Sequence, residues 1–115
     1  LPADWKIYQN SKAFHAALIP DLEELPYIYE DLAPFQNRIL YYEASRGCPF
    51  HCAYCLSAAE QGVRELPLER VINELADLER RKVPQIKFVD RTFNCHPKRA
   101  AEVLRWILQS NELSL

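Results

Sequence analysis

Residues 38–55, RILYYEASRGCPFHCAYC, join a run of strand character to three closely spaced cysteines. Aromatic and branched residues dominate the part from Arg38 to Ser45, which predicts a β-strand. Gly47 and Pro49 predict the end of that strand, because glycine allows a sharp turn and proline has no N–H to donate to a sheet. The stretch therefore predicts a strand that leads directly into a cysteine-bearing loop.

Downstream of the cysteines, the pattern alternates between helix and strand. Pro67 begins a predicted helix that runs to Lys82, and Pro97 begins a second that runs to Ser110. Gln85–Asp90 (QIKFVD) predicts a strand between them, and Glu112–Leu115 the start of a third strand. The predicted apolar stripes are Leu68, Val71, Ile72, Leu75 and Leu78 in the first helix, and Ala100, Val103, Leu104, Ile107 and Leu108 in the second. This order predicts βαβ units and an α/β fold with a parallel sheet.

Upstream, residues 1–37 have a different character. Four of the eight prolines fall there, which opposes long helices and central strands. We interpret this segment as an extended linker or wrapping arm, with a short helix at 12–18. Its predicted anchors are Leu22, Leu25, Tyr27 and Tyr29. Residues 38–115 then form the predicted α/β domain.

Composition excludes some partners. The net charge of the 115-residue chain is −2, so there is no electrostatic case for binding nucleic acid or an anionic membrane. No apolar run approaches the roughly 20 residues of a membrane span, and the first residues of this sequence do not show the basic, apolar and small-residue pattern of a secretion signal. Clustered cysteines in a chain with no sign of secretion favour metal binding over disulfides, and we expect a cytoplasmic location.

The cysteines Cys48, Cys52 and Cys55 are spaced C-x3-C-x2-C. Thiolates hold iron–sulfur clusters, and most four-iron clusters have four cysteine ligands. Three cysteines can hold three irons and leave one iron free for a small molecule. The spacing therefore indicates an iron–sulfur centre that performs chemistry.

Other interpretations of the cysteines stay open at this point. They share one face of a helix, where they could pack as small apolar groups. A non-catalytic zinc module could use the three thiolates with His51, Cys95 or His96 as the fourth ligand. An electron-carrying iron–sulfur module could use Cys95. We expect His51 to face solvent or pack in the loop, and Cys95 to be a small packing residue.

The motif resembles the signature of the radical S-adenosylmethionine superfamily, C-x3-C-x-aromatic-C, with Tyr54 at the aromatic position. The resemblance implies that Cys48, Cys52 and Cys55 ligate three irons of a [4Fe–4S] cluster. Its fourth iron would bind the amino and carboxylate groups of S-adenosylmethionine, and the backbone beside Tyr54 would contact the adenine. An electron from a flavodoxin-type or ferredoxin-type reductant would yield methionine and a 5′-deoxyadenosyl radical, which abstracts hydrogen from an unknown substrate.

The resemblance also concerns the architecture. The superfamily fold is a partial (βα)6 barrel, similar to a TIM barrel, of which this chain holds the N-terminal portion. Residues 42–50 and 87–94 resemble a subgroup that carries an upstream cobalamin-binding domain and a proline-rich arm. That subgroup is similar to the anaerobic Mg-protoporphyrin ester cyclases and to Fe–S oxidoreductases. Cobalamin would bind outside this chain.

Three further residues are candidates for the site. Family members often carry Gly-Gly-Glu at the second strand, and this run contacts the amino group of S-adenosylmethionine. In this chain the resemblance makes Asp90 the candidate for that contact. The alternative is that Asp90 simply begins a turn. Glu43 either faces the active site or pairs with Arg46 or Lys87. Arg46 either holds an anionic group near the cluster or caps the loop.

The chain is expected to be part of a longer protein. With two of six barrel strands its substrate pocket is incomplete, so we expect little turnover. Exposed sheet edges favour a dimer of the isolated chain. Arg80, Arg81 and Lys82 are expected to form a solvated helix end.

Overall fold

The computed structural model describes residues 21–56 and 62–110. Its strands are β1 (Leu40–Tyr42), β2 (Ser45–Gly47), β3 (Val63–Glu65) and β4 (Ile86–Phe88). Its α-helices are α1 (Leu68–Arg80) and α2 (Pro97–Gln109), and two 3-10 turns lie at Leu22–Glu24 and Ala33–Phe35. The helix predicted at 12–18 and the strand predicted at Glu112–Leu115 lie outside the described residues.

The prediction of a mixed α/β fold with a parallel sheet is confirmed. Strands β1 and β4 pair in parallel, with Leu40 opposite Ile86 and Tyr42 opposite Phe88. Leu40, Tyr42 and Ile86 are buried, because their side chains point from the sheet into a core formed with the helices. The carboxyl ends of the two strands therefore lie side by side, which is where ligands collect in α/β folds.

The strand predicted from Arg38 to Ser45 is wrong in its extent. The parallel strand stops at Tyr42, and Ser45–Gly47 belongs to a separate antiparallel pair with β3. The break occurs because the Ala44 N–H and the Ser45 hydroxyl donate to the Asp90 carboxylate. This stretch therefore leaves the parallel ladder.

Both predicted helices are confirmed to within two residues, and their apolar stripes form much of the core. The residues Val71, Leu75, Leu78, Ala100, Val103 and Ile107 are buried. Two members of the second predicted stripe are misplaced, since Leu104 is 43% exposed and Leu108 is 82% exposed. Among the described residues, no helix is both long enough and apolar enough to cross a membrane.

The segment before β1 packs along α1. Leu22 and Tyr29 are buried, and Leu25 and Tyr27 pack partly against the core. Arg70 of α1 donates hydrogen bonds to the carbonyl oxygens of Glu23 and Leu25, each at 2.7 Å. The backbone of this segment is thus satisfied by helix side chains in place of a sheet partner.

The expectation that Arg80, Arg81 and Lys82 form a solvated helix end is wrong for Arg81. Its guanidinium donates to the carbonyl oxygens of Tyr29 and Glu30, and it also forms an ion pair with Asp77 at 2.9 Å. The hydrogen bond from Arg81 holds the pKa of Asp77 below its usual range. Only Arg80 and Lys82 of the three basic residues are exposed.

Tyr29 closes the free edge of β1. Its hydroxyl accepts the Tyr41 N–H at 3.1 Å and donates to the Tyr41 carbonyl oxygen at 2.5 Å. Burial raises the pKa of Tyr29, so the hydroxyl keeps the proton that it donates. A single side chain therefore replaces the hydrogen bonds of a neighbouring strand.

Tyr29→Phe should lower the free energy of unfolding by about 1–3 kcal/mol, because two backbone groups lose their partner. Tyr41→Phe is the matched control: its side chain is 54% exposed, and we expect a change within about 0.5 kcal/mol. Urea unfolding followed by circular dichroism measures both. Equal values for the two variants would contradict this role of Tyr29.

Candidate metal centre

The cysteine loop begins and ends at one point of the antiparallel pair. Gly47 lies opposite Val63 in the β2–β3 ladder, so residues 48–62 leave and return there. Gly47 has φ +102°, and a Cβ on it would lie 2.2 Å from the carbonyl oxygen of Gly62. Only glycine fits this close approach of two backbones, which explains its place directly before the first cysteine.

None of the three cysteines of the loop is in a disulfide bond. Cys48 and Cys55 are half-buried and Cys52 is exposed, so the thiols can be reached from outside. The Cys55 N–H donates to the Cys52 carbonyl oxygen at 3.0 Å, which makes a turn that keeps these two residues together. The Cys48 Sγ lies 3.6 Å from the Thr92 hydroxyl oxygen.

Asp90 links the ends of the two parallel strands. Its carboxylate accepts the Ala44 N–H at 3.2 Å and the Ser45 hydroxyl at 2.6 Å. The Val89 N–H donates to the Tyr42 carbonyl oxygen at 2.9 Å and extends the pairing up to this point. Asp90 therefore fixes the turn that carries the chain from β1 into β2 and on to the cysteines.

Asp90→Ala should lower the free energy of unfolding by about 1–3 kcal/mol, because the partly buried Ala44 N–H loses its acceptor. Ser45→Ala should remove part of the same stabilisation, so the double variant should lose less than the sum of the two single variants. Arg91→Ala, at the exposed neighbouring position, should change stability by no more than about 0.5 kcal/mol. Denaturant melts of the four variants test this, and strict additivity of Asp90 and Ser45 would refute the coupling.

Glu43 and Arg46 face each other across the same turn. The Arg46 Nη2 lies 2.6 Å from a Glu43 carboxylate oxygen, and the Nε also donates to this carboxylate. Each side chain is about one third exposed, at 35% and 34%. Solvent screening limits the contribution of such a pair to stability to about 1 kcal/mol.

Tyr54 and His51 lie on the outside of the loop. The Tyr54 side chain is 93% exposed and His51 is exposed. Phe50 and Leu56, also in the loop, are 60% and 94% exposed. The loop thus presents apolar side chains to solvent on both sides of Cys52.

Sequence reasoning missed several residues around the loop. Nothing in the local sequence marks Ser45 or Thr92 as a site residue, because the role of each depends on a contact with a residue more than 40 positions away. Glu65 was missed together with β3, a three-residue strand between Gly62 and Pro67.

Glu65 gathers with Cys95 and His96. One potential ligand atom of each residue lies within 4.8 Å of the others, and this group of three does not include the loop cysteines. Burial, followed by the negative charge of Glu65, raises the pKa of the Cys95 thiol. Cys95 is thus part of a cluster of polar groups, whereas we expected a small packing residue.

A surface groove of about 690 Å³ lies elsewhere, between α1 and the N-terminal segment. Four of its charged side chains form two ion pairs: Arg70 with Glu74, and Arg81 with Asp77. Tyr42 donates to Glu74 at 2.6 Å, and burial raises the pKa of this tyrosine well above its usual range. These contacts join the segment to the helix, and none of the residues lining the groove is a predicted site residue.

The cysteine loop on an α/β scaffold has a clear counterpart among known proteins. The sequence profile described as "Radical SAM superfamily" matches residues 42–113, more than half of the chain, and the chain belongs to this superfamily. Membership implies a [4Fe–4S] cluster and S-adenosylmethionine as cofactors in general, and supports an enzyme function.

A relative points in the same direction. The chain is 35% identical over 99 residues to the uncharacterized methyltransferase PH0819 of Pyrococcus horikoshii. The match covers 75% of this chain but 21% of the relative, so the chain spans about one fifth of that protein's length. No solved structure matches the chain significantly.

Proposed function

We propose that this chain is the cluster-bearing part of a radical S-adenosylmethionine enzyme, with Cys48, Cys52 and Cys55 as ligands of a [4Fe–4S] cluster. One observation carries the proposal: three cysteines, none of them in a disulfide bond, lie on a single loop that is closed at its base by Gly47 and Gly62. The loop leaves the fold beside the carboxyl ends of the two parallel strands. It also carries the spacing of the superfamily to which the chain belongs.

The donor set fits a multi-iron cluster better than a single zinc ion. Thiolates on one tetrahedral zinc lie about 3.8 Å apart, given zinc–sulfur bonds of about 2.3 Å. The described ligand group that gathers within 4.8 Å does not contain the loop cysteines. A four-iron cluster binds each thiolate through a separate iron, so it suits cysteines that are more widely spaced along an accessible loop.

When bound, the cluster supplies the electron that splits S-adenosylmethionine into methionine and a 5′-deoxyadenosyl radical. The chain's own residues hold and orient the reactants. The Thr92 hydroxyl lies 3.6 Å from the Cys48 sulfur. Once Cys48 is a thiolate ligand, the hydroxyl would be the donor of this contact, and hydrogen bonds to cluster sulfurs tune the reduction potential. The turn held by Asp90 sets where Cys48 begins the loop.

Asp90 remains our candidate for the amino group of S-adenosylmethionine. Both of its carboxylate oxygens already accept a hydrogen bond, yet each oxygen of a carboxylate can accept two. Tyr54 is proposed to contact the adenine through its backbone, which leaves its exposed ring free for other contacts. Arg46 and Glu43 form a charged pair beside the start of the loop, and Arg46 is proposed to attract the carboxylate of the cofactor.

The wider assembly is also part of the proposal. The name of the Pyrococcus horikoshii relative supports a transferase chemistry, and the resemblance of residues 42–50 and 87–94 supports a cobalamin-binding domain upstream. The proposal includes a partial (βα)6 barrel completed by further sequence; its support is the family resemblance and the parallel pairing of β1 with β4. The electron donor would be a flavodoxin or ferredoxin in the cytoplasm, where thiols stay reduced.

Metal analysis of the chain tests the central assignment. Anaerobic reconstitution with iron and sulfide should give about four irons and four sulfides per chain, with a brown colour that fades in air. Failure to take up iron, together with one air-stable zinc per chain that is lost when the three loop cysteines are replaced by serine, would favour the non-catalytic zinc module instead. We expect little substrate turnover from these residues alone, so cluster content is the appropriate readout.

A further inference from the structure

Three side chains from two separate parts of the chain converge below the cysteine loop. Glu65 comes from β3, and Cys95 and His96 come from the turn before α2. The His96 Nδ1 lies 2.8 Å from a Glu65 carboxylate oxygen and 3.6 Å from the Cys95 Sγ. A carboxylate, an imidazole and a thiol are the three ligand types that zinc accepts in proteins.

The observed separations are close to those that a tetrahedral ion requires. Metal–ligand bonds of about 2.0–2.3 Å place a sulfur and a nitrogen about 3.5 Å apart, and an oxygen and a nitrogen about 3.3 Å apart. The sulfur–nitrogen distance of 3.6 Å already fits. The oxygen–nitrogen distance of 2.8 Å needs to open by only a few tenths of an ångström.

We propose that Glu65, Cys95 and His96 form a second metal site, separate from the loop cysteines, which binds a zinc-type divalent ion with a water as fourth ligand. The carboxylate and the thiolate together balance the charge of the ion. The His96 side chain is 59% exposed, which provides the path of entry.

Arg99 sets a limit on the affinity of this site. Its Nε lies 3.5 Å from the same Glu65 oxygen, too far for a good hydrogen bond, and its Nη2 is buried without a partner among the described residues. This positive charge and the N-terminus of α2 both oppose a cation. We therefore expect weaker binding than at a closed site with four protein ligands.

A bound ion would connect the cysteine loop to the rest of the fold. Glu65 lies opposite Ser45 in the ladder from which the loop emerges. The Cys95 N–H donates to the Thr92 carbonyl oxygen, and Thr92 contacts Cys48. The ion would thus clamp the return strand of the loop to the turn that contacts the first cluster cysteine.

Cobalt(II) titration tests the site independently of the proposed function. A full-length chain with Cys48→Ser, Cys52→Ser and Cys55→Ser leaves Cys95 as the only thiol. Adding Co(II) to this variant should give a near-ultraviolet thiolate-to-cobalt band that saturates at one ion per chain, and Zn(II) should abolish the band and raise the midpoint of thermal unfolding. Absence of the band from a protein that circular dichroism shows to be folded would overturn the proposal.

Single substitutions in that background show whether the three residues act together. Cys95→Ser should remove the band, while Glu65→Gln and His96→Ala should each weaken cobalt binding at least tenfold. Lys98→Ala is the control: Lys98 is exposed in the first turn of α2, two residues after His96, and this variant should bind cobalt as the parent does. Unchanged affinity in both Glu65→Gln and His96→Ala would mean that the thiol alone binds cobalt, and would contradict a built site.

Discussion

Replacing any one of Cys48, Cys52 and Cys55 by alanine should abolish the iron–sulfur cluster. Each residue is proposed to ligate a separate iron, so loss of one thiolate leaves two irons without a protein ligand. After identical anaerobic reconstitution, iron content should fall from about four per chain to less than about one, and the brown chromophore should disappear. Iron and sulfide assays with visible absorption spectra measure the change.

Cys95→Ala is the matched control for these variants. Its thiol gathers with Glu65 and His96, and the variant should therefore reconstitute like the parent. If Cys95→Ala also lost the cluster, Cys95 would be a fourth ligand, and the chain would be an electron carrier without an open iron. If one loop cysteine could be replaced without loss, the three-thiolate assignment would be wrong.

Gly47→Ala should cause the largest loss of stability of any single methyl addition considered. The positive φ alone strains a residue with a side chain by about 1–3 kcal/mol. The new Cβ would also lie 2.2 Å from the Gly62 carbonyl oxygen, so β2 and β3 would have to separate where the cysteine loop begins. We expect a total above about 4 kcal/mol, which is exceptional for a single substitution.

Gly62→Ala is the control that separates backbone strain from steric clash, because it introduces the strain without the clash. Gly62 also has a positive φ, at +78°, but a Cβ there meets no atom of the described residues within 4 Å. It should therefore lose only the strain energy of about 1–3 kcal/mol. Denaturant unfolding compares the two, and hydrogen exchange at Val63 should report local opening in Gly47→Ala alone. Similar losses in both variants would contradict the close approach seen in the structure.

Local pattern was sufficient to predict the helices and the presence of the two parallel strands, although not the residue at which the first strand ends. The helices α1 and α2 have apolar residues at helical spacing and a proline at or directly before their first turn, signals that depend on near neighbours only. The exposure of Leu104 and Leu108 was not predictable, since the stripe shows which face is apolar but not how much of it a neighbour covers.

Contacts between distant parts of the chain account for the errors. The parallel strand ends before Ser45 because Asp90, 45 residues away, accepts a hydrogen bond from the Ser45 hydroxyl. Arg81 was expected in solvent, yet the carbonyl oxygens of Tyr29 and Glu30 bind it from about 50 positions earlier. No local pattern carries such information.

The residues of the candidate site also fall into those that local sequence identifies and those that only the fold brings together. The spacing of the loop cysteines identifies them without any structure, because the ligands are local in sequence. The contact of Thr92 with Cys48 and the grouping of Glu65 with Cys95 and His96 depend on the fold, because β3 and the turn before α2 meet only there.

The most direct test is the electron paramagnetic resonance spectrum of the reduced, reconstituted chain with and without S-adenosylmethionine. A cluster held by three thiolates has an iron that the amino and carboxylate groups of S-adenosylmethionine can bind, so the cofactor should change the spectrum. Adenosine, which lacks the amino and carboxylate groups of the methionine part, should leave the spectrum unchanged. A cluster signal that S-adenosylmethionine leaves unaltered would contradict the account.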